Sequence, residues 1–158
     1  RRIGKNNKPF KMYKFRSMRV AKAVTEASLR PDEDRIFPFG HFIRKVKIDE
    51  LPQLLNILKG DMTIVGPRPE RPSIAAEYEK VIPEFHLRLQ AKAGLTGYAQ
   101  VYGKYNTTPY DKLLMDLMYI SHANLLDDLF IMFATVKILF MPESTEGVEE
   151  GQTTAMKK

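Results

Sequence analysis

The 158-residue sequence contains no cysteine, so disulfide bonds and thiolate metal sites are excluded. It also has no apolar run of roughly 20 residues, the length that a membrane-spanning helix needs. The longest apolar run, residues 129–141, has 13 residues and includes Lys137. This run predicts either a core helix or a helix that lies in a membrane surface. The three histidines, His41, His86 and His122, are too far apart to match the spacing of a zinc site.

Acidic residues are absent from residues 1–22, although this segment carries nine lysine and arginine residues. Residues 143–150 show the opposite pattern, with four glutamates and no basic residue. The formal net charge of the whole sequence is +6. Such asymmetry indicates an anionic partner for the N-terminal part: a phosphorylated substrate, lipid head groups or nucleic acid. A solvated basic surface without a partner is the alternative.

Hydrophobic residues make up 44% of the sequence, which is enough to form one core in a chain of this length. We expect a single compact α+β domain that is mostly helical and has a few short strands. Alternating basic and apolar residues predict a strand over residues 10–18, around Tyr13. Further short strands are expected near Ile64 and Val101, and residues 94–97 are expected to form a turn.

Helical periodicity is clearest just after two adjacent carboxylates, Asp49 and Glu50. The leucines that follow have the i, i+3, i+4, i+7 spacing of one helix face: Leu51, Leu54, Leu55 and Leu58. Asp49 is expected to be the N-cap, Pro52 to lie in the first turn and Gly60 to end the helix. Other helices are expected at residues 39–45, 72–81, 108–122 and from the Asn124 cap to Pro142.

The chemistry of this region depends on the two carboxylates and on a nearby arginine. Asp49 and Glu50 lie at the start of the predicted helix, and Arg68 lies between two prolines a short loop after it. Carboxylates can attack a phosphate or hold a divalent metal, while a guanidinium neutralises phosphate oxygens. The alternative is purely structural, because capping the helix and complementing its dipole would stabilise it by about 1 kcal/mol.

Five short motifs follow one another along the chain. They are Lys11-Met12-Tyr13-Lys14-Phe15-Arg16-Ser17-Met18, Arg44 with Asp49-Glu50-Leu51-Pro52-Gln53, Gly60-Asp61-Met62, Gly66-Pro67-Arg68-Pro69 and Gly94-Leu95-Thr96-Gly97. In this order they resemble the bacterial sugar transferase family, the monotopic polyprenyl-phosphate phosphoglycosyl transferases. The resemblance covers residues 1–142, which we expect to be the catalytic domain. Residues 143–158 are expected to form a polar, disordered tail.

The resemblance implies a two-step reaction and a set of site residues. Asp49 would attack the β-phosphate of a UDP-sugar, and the resulting sugar phosphate would pass to a polyprenyl phosphate such as undecaprenyl phosphate. Asp49 and Glu50 would also bind Mg²⁺. Further residues that the resemblance implies line the substrate phosphates: Lys14, Arg16, Arg44, Gln53 and Arg68. Residues implied near the nucleotide and sugar are Gln100, Tyr102 and Lys104.

The resemblance also implies a location and a biological role. Family members start the assembly of exopolysaccharide, capsule or O-antigen at the cytoplasmic face of the bacterial inner membrane. They are anchored there by a re-entrant hydrophobic helix, which would precede residue 1 in the complete protein. The basic first 22 residues and the apolar run near the C-terminus would then lie at the lipid surface.

Two other functions are compatible with parts of the sequence. Aromatic residues interleaved with cations in residues 1–22 are typical of a module that binds single-stranded nucleic acid. That module would need neither Asp49-Glu50 nor the arginine between prolines, so no nucleic-acid partner is expected. A non-catalytic scaffold at the membrane is the other alternative. The sequence predicts no particular oligomeric state.

Overall fold

The computed structural model describes residues 1–19, 35–103 and 107–140. Helices dominate this part of the chain, and the strands are short. The strands are β1 (Arg2–Ile3), β2 (Pro9–Phe10), β3 (Met62–Val65) and β4 (Ala93–Thr96). The α-helices are α1 (Pro38–Lys45), α2 (Gln53–Leu58), α3 (Pro72–Val81), α4 (Tyr98–Tyr102), α5 (Pro109–His122) and α6 (Leu125–Leu139). These elements confirm the predicted α+β domain of mostly helical character.

Strands β3 and β4 form a parallel pair, and α3 together with a 3-10 segment (Pro83–Gln90) connects them. The paired residues are Met62 and Ala93, Thr63 and Gly94, and Val65 and Thr96. The strand predicted near Ile64 is confirmed, but the turn predicted at residues 94–97 is wrong. Glycine is needed here for close packing, because a Cβ on Gly94 would collide with the backbone nitrogen and oxygen of Gly66.

The basic N-terminal segment contains less strand than predicted. Strands β1 and β2 pair in antiparallel fashion, and β2 ends at Phe10. Beyond it the backbone bonds to a side chain: Tyr13 N–H donates to Asn56 Oδ1 (3.0 Å), and Lys11 C=O accepts from Asn56 Nδ2 (2.7 Å). The predicted strand around Tyr13 is therefore wrong, because residue alternation does not reveal which group satisfies the backbone.

Helix α2 buries its polar side and exposes its apolar side. Asn56 is 0% exposed, and Gln53 is buried one turn before it. We call the four leucines that share the other side the leucine face, and all are exposed: Leu51, Leu54, Leu55 and Leu58. Gly60, at φ +81°, ends the helical segment as predicted. The polarity of α2 is thus the reverse of that of a helix that packs on an apolar core.

Helix α4 occupies the position where a strand was expected near Val101. The N–H groups of Gln100 and Val101 both donate to the carbonyl of Gly97, at 3.0 and 3.1 Å. The strand prediction is wrong, because a helix of five residues is too short for its periodicity to be recognised.

The main apolar core lies between α3, the 3-10 segment and α5. Its buried residues are Ala75, Ile82, Phe85 and Leu113, and the ring of Tyr78 lies 5.0 Å from that of Phe85. Both helices were predicted at these positions. Thr108 caps α5 through the predicted capping box with Asp111, because each side chain bonds to the backbone N–H of the other residue.

Helix α6 begins at the predicted cap, where Asn124 Oδ1 accepts a bond from Asp127 N–H at 2.9 Å. It packs on the β3–β4 pair through a narrow strip that includes buried Ile131 and Thr135, whose Oγ1 lies 2.7 Å from Thr96 Oγ1. Both of its aromatic side chains, Phe130 and Phe133, are exposed instead, as is Phe140 at its C-cap. Most of the helix is therefore not core.

No helix in residues 1–19, 35–103 or 107–140 combines the length and the apolar character needed to cross a membrane. The predicted helix end at Pro142 and the polar tail at residues 143–158 lie outside the described residues.

Candidate active site

The Asp49–Glu50 pair lies in a tight turn between α1 and α2. Lys47 adopts the left-handed conformation (φ 58°, ψ 16°), which is unusual for a residue with a side chain. A 3-10 turn, Ile48–Glu50, follows at once, and Pro52 takes the N-cap position of α2. The prediction that Asp49 is the N-cap of this helix is wrong, because Pro52 occupies that position. Asp49 lies in the 3-10 turn before the helix.

Asp49 is buried and incompletely bonded. Its side chain and backbone together are 7% exposed, and its carbonyl accepts a hydrogen bond from Phe15 N–H at 3.0 Å. The carboxylate oxygen Oδ1 is buried and has no hydrogen-bond partner among the described residues. A buried carboxylate oxygen without a partner is costly to the fold, so its presence points to a ligand that completes it.

Glu50 differs from Asp49 because it is surrounded by cations. Its Oε1 lies 2.7 Å from Lys14 Nζ and 3.6 Å from an Nη atom of Arg68. Burial raises the pKa of Glu50, but the positive charges of Arg68, Lys14 and Lys47 outweigh burial and hold that pKa below its ordinary value. Glu50 is therefore ionised at neutral pH and holds two cations at the turn that carries Asp49.

Arg68 belongs to the Gly66-Pro67-Arg68-Pro69 loop, which follows β3 directly. Both prolines are buried, whereas about half of the Arg68 side chain is exposed (49%). The guanidinium thus combines a fixed backbone with donors that are open to a ligand. Such a group can bind two phosphate oxygens at once without large reorganisation.

The remaining residues predicted for phosphate binding are placed differently. Gln53 is buried at the start of α2, one turn after Asp49. Arg16 and Arg44 are both exposed, and neither forms a salt bridge with Asp49 or Glu50. The geometry therefore brings together Lys14, Glu50 and Arg68, while Arg16 and Arg44 are exposed and are not shown in contact with these three.

The residues predicted to bind nucleotide and sugar belong to α4 or follow it. Gln100 Nε2 is buried and has no hydrogen-bond partner in the part of the chain that the structure describes. The Tyr102 ring is about half exposed and lies 4.6 Å from the Tyr98 ring. Lys104 lies outside the described residues. Since Gly97 packs against Gly66, the start of α4 adjoins the loop that carries Arg68.

Sequence reasoning missed two side chains that support the site. Asn56 fixes the backbone at Lys11 and Tyr13, and so sets the path of the segment that carries Lys14. No local signal marked Asn56, because the side of a helix opposite four leucines is ordinarily expected to face solvent. The second residue, Arg88, donates to the carbonyl of Arg68 at 2.8 Å and had no recognisable local signal.

The carboxylates available for a metal ion are few. Nowhere in the described ranges do three or more His, Cys, Asp or Glu side chains come together as a metal cluster. Mg²⁺, however, is commonly held by one or two carboxylates together with water and substrate phosphates. Asp49 with its unpartnered oxygen and the adjacent Glu50 fit this second kind of site.

The sequence matches a family model described as bacterial sugar transferase over residues 1–142. Similar proteins that are named as sugar or sugar-phosphate transferases come from several bacteria. The galactosyl transferase CpsE of Streptococcus agalactiae serotype III (strain NEM316) is 39% identical over 153 residues, covering 89% of this chain and 33% of that protein.

Two further relatives carry more detailed names. The UDP-N-acetylgalactosamine-undecaprenyl-phosphate N-acetylgalactosaminephosphotransferase of Aeromonas hydrophila is 39% identical over 142 residues (87% of this chain, 34% of that protein). The UDP-glucose:undecaprenyl-phosphate glucose-1-phosphate transferase of Escherichia coli (strain K12) is 39% identical over 143 residues (85% and 30%). The chain thus spans about a third of these proteins, and within that span it belongs to the bacterial sugar transferase family.

Proposed function

We propose that this protein transfers a hexose 1-phosphate from a UDP-sugar to a polyprenyl phosphate and releases UMP. The family and the names of the Aeromonas and Escherichia relatives support the reaction class. Those names specify different sugars, so the proposal specifies a hexose and no particular one. The observation that carries the mechanism is the unpartnered Oδ1 of Asp49 beside a glutamate that holds Lys14 and Arg68.

In the first step, a carboxylate oxygen of Asp49 attacks the β-phosphorus of the UDP-sugar. The bond between that phosphorus and the oxygen bridging the two phosphates breaks, and UMP leaves with the bridging oxygen. The sugar phosphate remains on Asp49 as an acyl phosphate. A covalent intermediate divides a difficult transfer between two anions into two separate displacements.

In the second step, a phosphate oxygen of the polyprenyl phosphate attacks the phosphorus of this intermediate. The bond between phosphorus and the Asp49 oxygen breaks, which restores the carboxylate and gives a polyprenyl diphosphate sugar. Both steps bring one anion toward another. Lys14 and Arg68 would lower this repulsion, because both cations lie at Glu50, the residue that follows Asp49, before the substrate arrives.

Asp49 and Glu50 are the residues that would hold Mg²⁺ in this scheme. The ion would supply charge neutralisation for the substrate diphosphate. Gln53 and Arg44 would contribute to the same phosphate site from the start of α2 and the last turn of α1. Gln100 and Tyr102 would contact the nucleotide or sugar from α4, which adjoins the Arg68 loop through Gly97 and Gly66.

We further propose that the leucine face rests on the lipid surface at the cytoplasmic side of the inner membrane. An exposed apolar face is typical of a partner or membrane contact rather than of free solvent. Basic residues precede and follow this face in the sequence, namely Lys45, Lys47 and Lys59. Their charge complements anionic lipid head groups, and the arrangement would place Asp49 near the phosphate of a lipid substrate.

An alternative role in binding single-stranded nucleic acid receives less support from the geometry. The hydroxyl of Tyr13 accepts a hydrogen bond from Lys59 Nζ at 2.7 Å, and the same nitrogen lies 4.7 Å from the Tyr13 ring. This ring is therefore already in contact with a cation. The family relationship favours the transferase as well.

The reaction can be tested with the complete protein in lipid nanodiscs. UDP-glucose, UDP-galactose and UDP-N-acetylgalactosamine would each be supplied with Mg²⁺ and undecaprenyl phosphate, and UMP would be measured. At least one donor should give UMP and a lipid-linked sugar diphosphate, and a chelator should stop both. Asp49→Asn should abolish the reaction, whereas the matched surface variant Glu77→Gln should leave it unchanged. Absence of UMP with every donor, or full activity of Asp49→Asn, would overturn the proposal.

A further inference from the structure

Arg88 lies in the interior beneath the Arg68 loop. It is 6% exposed, and its guanidinium lies 4.9 Å from the centre of the Phe85 ring, in the apolar core. One of its Nη atoms lies 2.7 Å from Oδ2 of Asp116 on α5. The same Nη donates a hydrogen bond to the backbone carbonyl of Arg68 at 2.8 Å. Arg88 thus connects α5 to the residue whose side chain faces Glu50.

The ion pair between Arg88 and Asp116 is poorly suited to stabilising the fold. The two side chains are only 7% and 3% exposed, so both charges have lost their hydration. For such pairs the cost of desolvation offsets much of the attraction, and apolar replacements of similar volume are often neutral or stabilising. The pair has another structural consequence, because Asp116 orients the Arg88 guanidinium and this rigid group can fix a backbone carbonyl.

The loop around Arg68 is fixed from two sides. On one side, strand β4 bonds to the two residues before Arg68: Gly66 N–H donates to Thr96 C=O and Gly94 N–H donates to Pro67 C=O, both at 2.9 Å. On the other side, Arg88 holds the carbonyl of Arg68 itself. The backbone of Arg68 is therefore fixed by strand β4 on one side and by Arg88 on the other. This limits where the Arg68 guanidinium can lie relative to Glu50.

We propose that Arg88 and Asp116 are positioning residues that hold Arg68 in place for phosphate transfer. The pair acts through the carbonyl of Arg68 and does not touch the substrate. This inference rests on the proposed transferase function, but its structural part can be measured without the reaction. Arg68 would then act as a preorganised cation, whose effect is largest where charge develops in the transition state.

The test compares three variants of the complete protein: Arg88→Met combined with Asp116→Leu, Arg88→Lys alone, and Lys80→Met as a surface control. The double variant removes both buried charges, so it avoids leaving one unpaired. Hydrogen exchange of the Gly66, Arg68 and Glu70 amides, the N–H groups in residues 66–70, reports on the loop. Thermal unfolding reports on stability, and UMP release gives kcat and KM.

We expect the double variant to unfold within a few degrees of the unchanged protein while its loop amides exchange at least tenfold faster. Its kcat should fall roughly a hundredfold and its KM much less, because the lost interaction is strongest in the transition state. Arg88→Lys should recover part of the protection and of kcat. The control should behave as the unchanged protein.

Unchanged loop exchange in the double variant would overturn the inference, whether or not UMP is formed. Equal loss of stability, exchange protection and activity in both Arg88 variants would also overturn it, because that pattern indicates a merely structural role. If the unchanged protein forms no UMP, the transferase proposal fails instead, and loop exchange alone decides whether Arg88 holds Arg68.

Discussion

Lys14 Nζ lies 2.7 Å from Oε1 of Glu50, although 36 residues separate the two in sequence. This contact joins the basic N-terminal segment to the turn that carries Asp49. Arg68 approaches the same oxygen from the loop after β3, at 3.6 Å. Three distant parts of the chain therefore meet at one carboxylate. Two cations thus lie around Glu50, at the place where the proposed reaction requires the phosphates of a UDP-sugar.

Replacing Lys14 tests whether the positive charge around Glu50 contributes to the reaction. Lys14→Met should lower kcat/KM for the UDP-sugar roughly tenfold to a hundredfold, because one of the two cations at Glu50 is lost. Stability should fall by less than about 1 kcal/mol, since the pair is partly exposed. Lys14→Arg should recover most of the activity. Steady-state UMP release and chemical unfolding measure both effects, and equal activity of Lys14→Met and the unchanged protein would contradict the assigned role.

The lowered pKa of Glu50 predicts a particular dependence of stability on pH. An unfolded glutamate titrates near pH 4.5, whereas the neighbouring cations hold the folded pKa of Glu50 below that value. The ionised group therefore contributes stability above about pH 4.5, and this contribution is lost as the pH falls through the folded pKa. Glu50→Gln should flatten the acid limb of the free energy of unfolding, measured with urea between pH 3 and 7. Identical slopes with and without Glu50 would show that the cations do not act on it.

Asn56 should be needed for both stability and activity. Asn56→Leu leaves Tyr13 N–H and Lys11 C=O without their partner, which should cost about 2–3 kcal/mol of unfolding free energy. UMP release should fall as well, because the segment that carries Lys14 loses its anchor. Asn56→Asp should be at least as harmful, since it removes both amide donor bonds and brings a second charge close to Asp61. A stability within 0.5 kcal/mol of the unchanged protein for Asn56→Leu would contradict this anchoring role.

The leucine face should matter for lipid binding and little for folding. Leu54→Gln combined with Leu58→Gln should change the free energy of unfolding by less than about 1 kcal/mol, because both side chains are exposed. Binding to vesicles that contain phosphatidylglycerol should fall several-fold in a sedimentation assay. Leu113→Gln is the matched core control, since Leu113 is 1% exposed, and it should destabilise the fold instead. Undiminished vesicle binding by the double variant would exclude this face as the contact.

The sequence predicted features that depend on local patterns. Gly60 and the Thr108–Asp111 capping box marked helix boundaries correctly, because each acts on its own turn of backbone. The Asp49–Glu50 pair and Arg68 were recognised as a possible phosphate site from residue type alone. The structure then places Arg68 within 3.6 Å of Glu50.

Other features depend on contacts between distant residues, and local patterns did not reveal them. Gly94 and Gly97 resembled a turn, but they lie where two backbones pack against Gly66. Residues 10–18 alternated like a strand, yet the backbone of Lys11 and Tyr13 bonds to the side chain of Asn56. Likewise, the leucine periodicity identified a helix, but periodicity does not show whether a core or another surface covers the apolar side.

The proposed mechanism requires a covalent bond between Asp49 and phosphorus, and one measurement detects that bond directly. The protein would be mixed with a UDP-hexose and Mg²⁺ without polyprenyl phosphate, quenched in acid, digested and examined by mass spectrometry. If Asp49 is the nucleophile, the peptide that contains Asp49 gains the mass of one hexose phosphate less one water, and adding undecaprenyl phosphate removes this mass. UMP release without this adduct, or an adduct on another residue, would contradict the proposed role of Asp49.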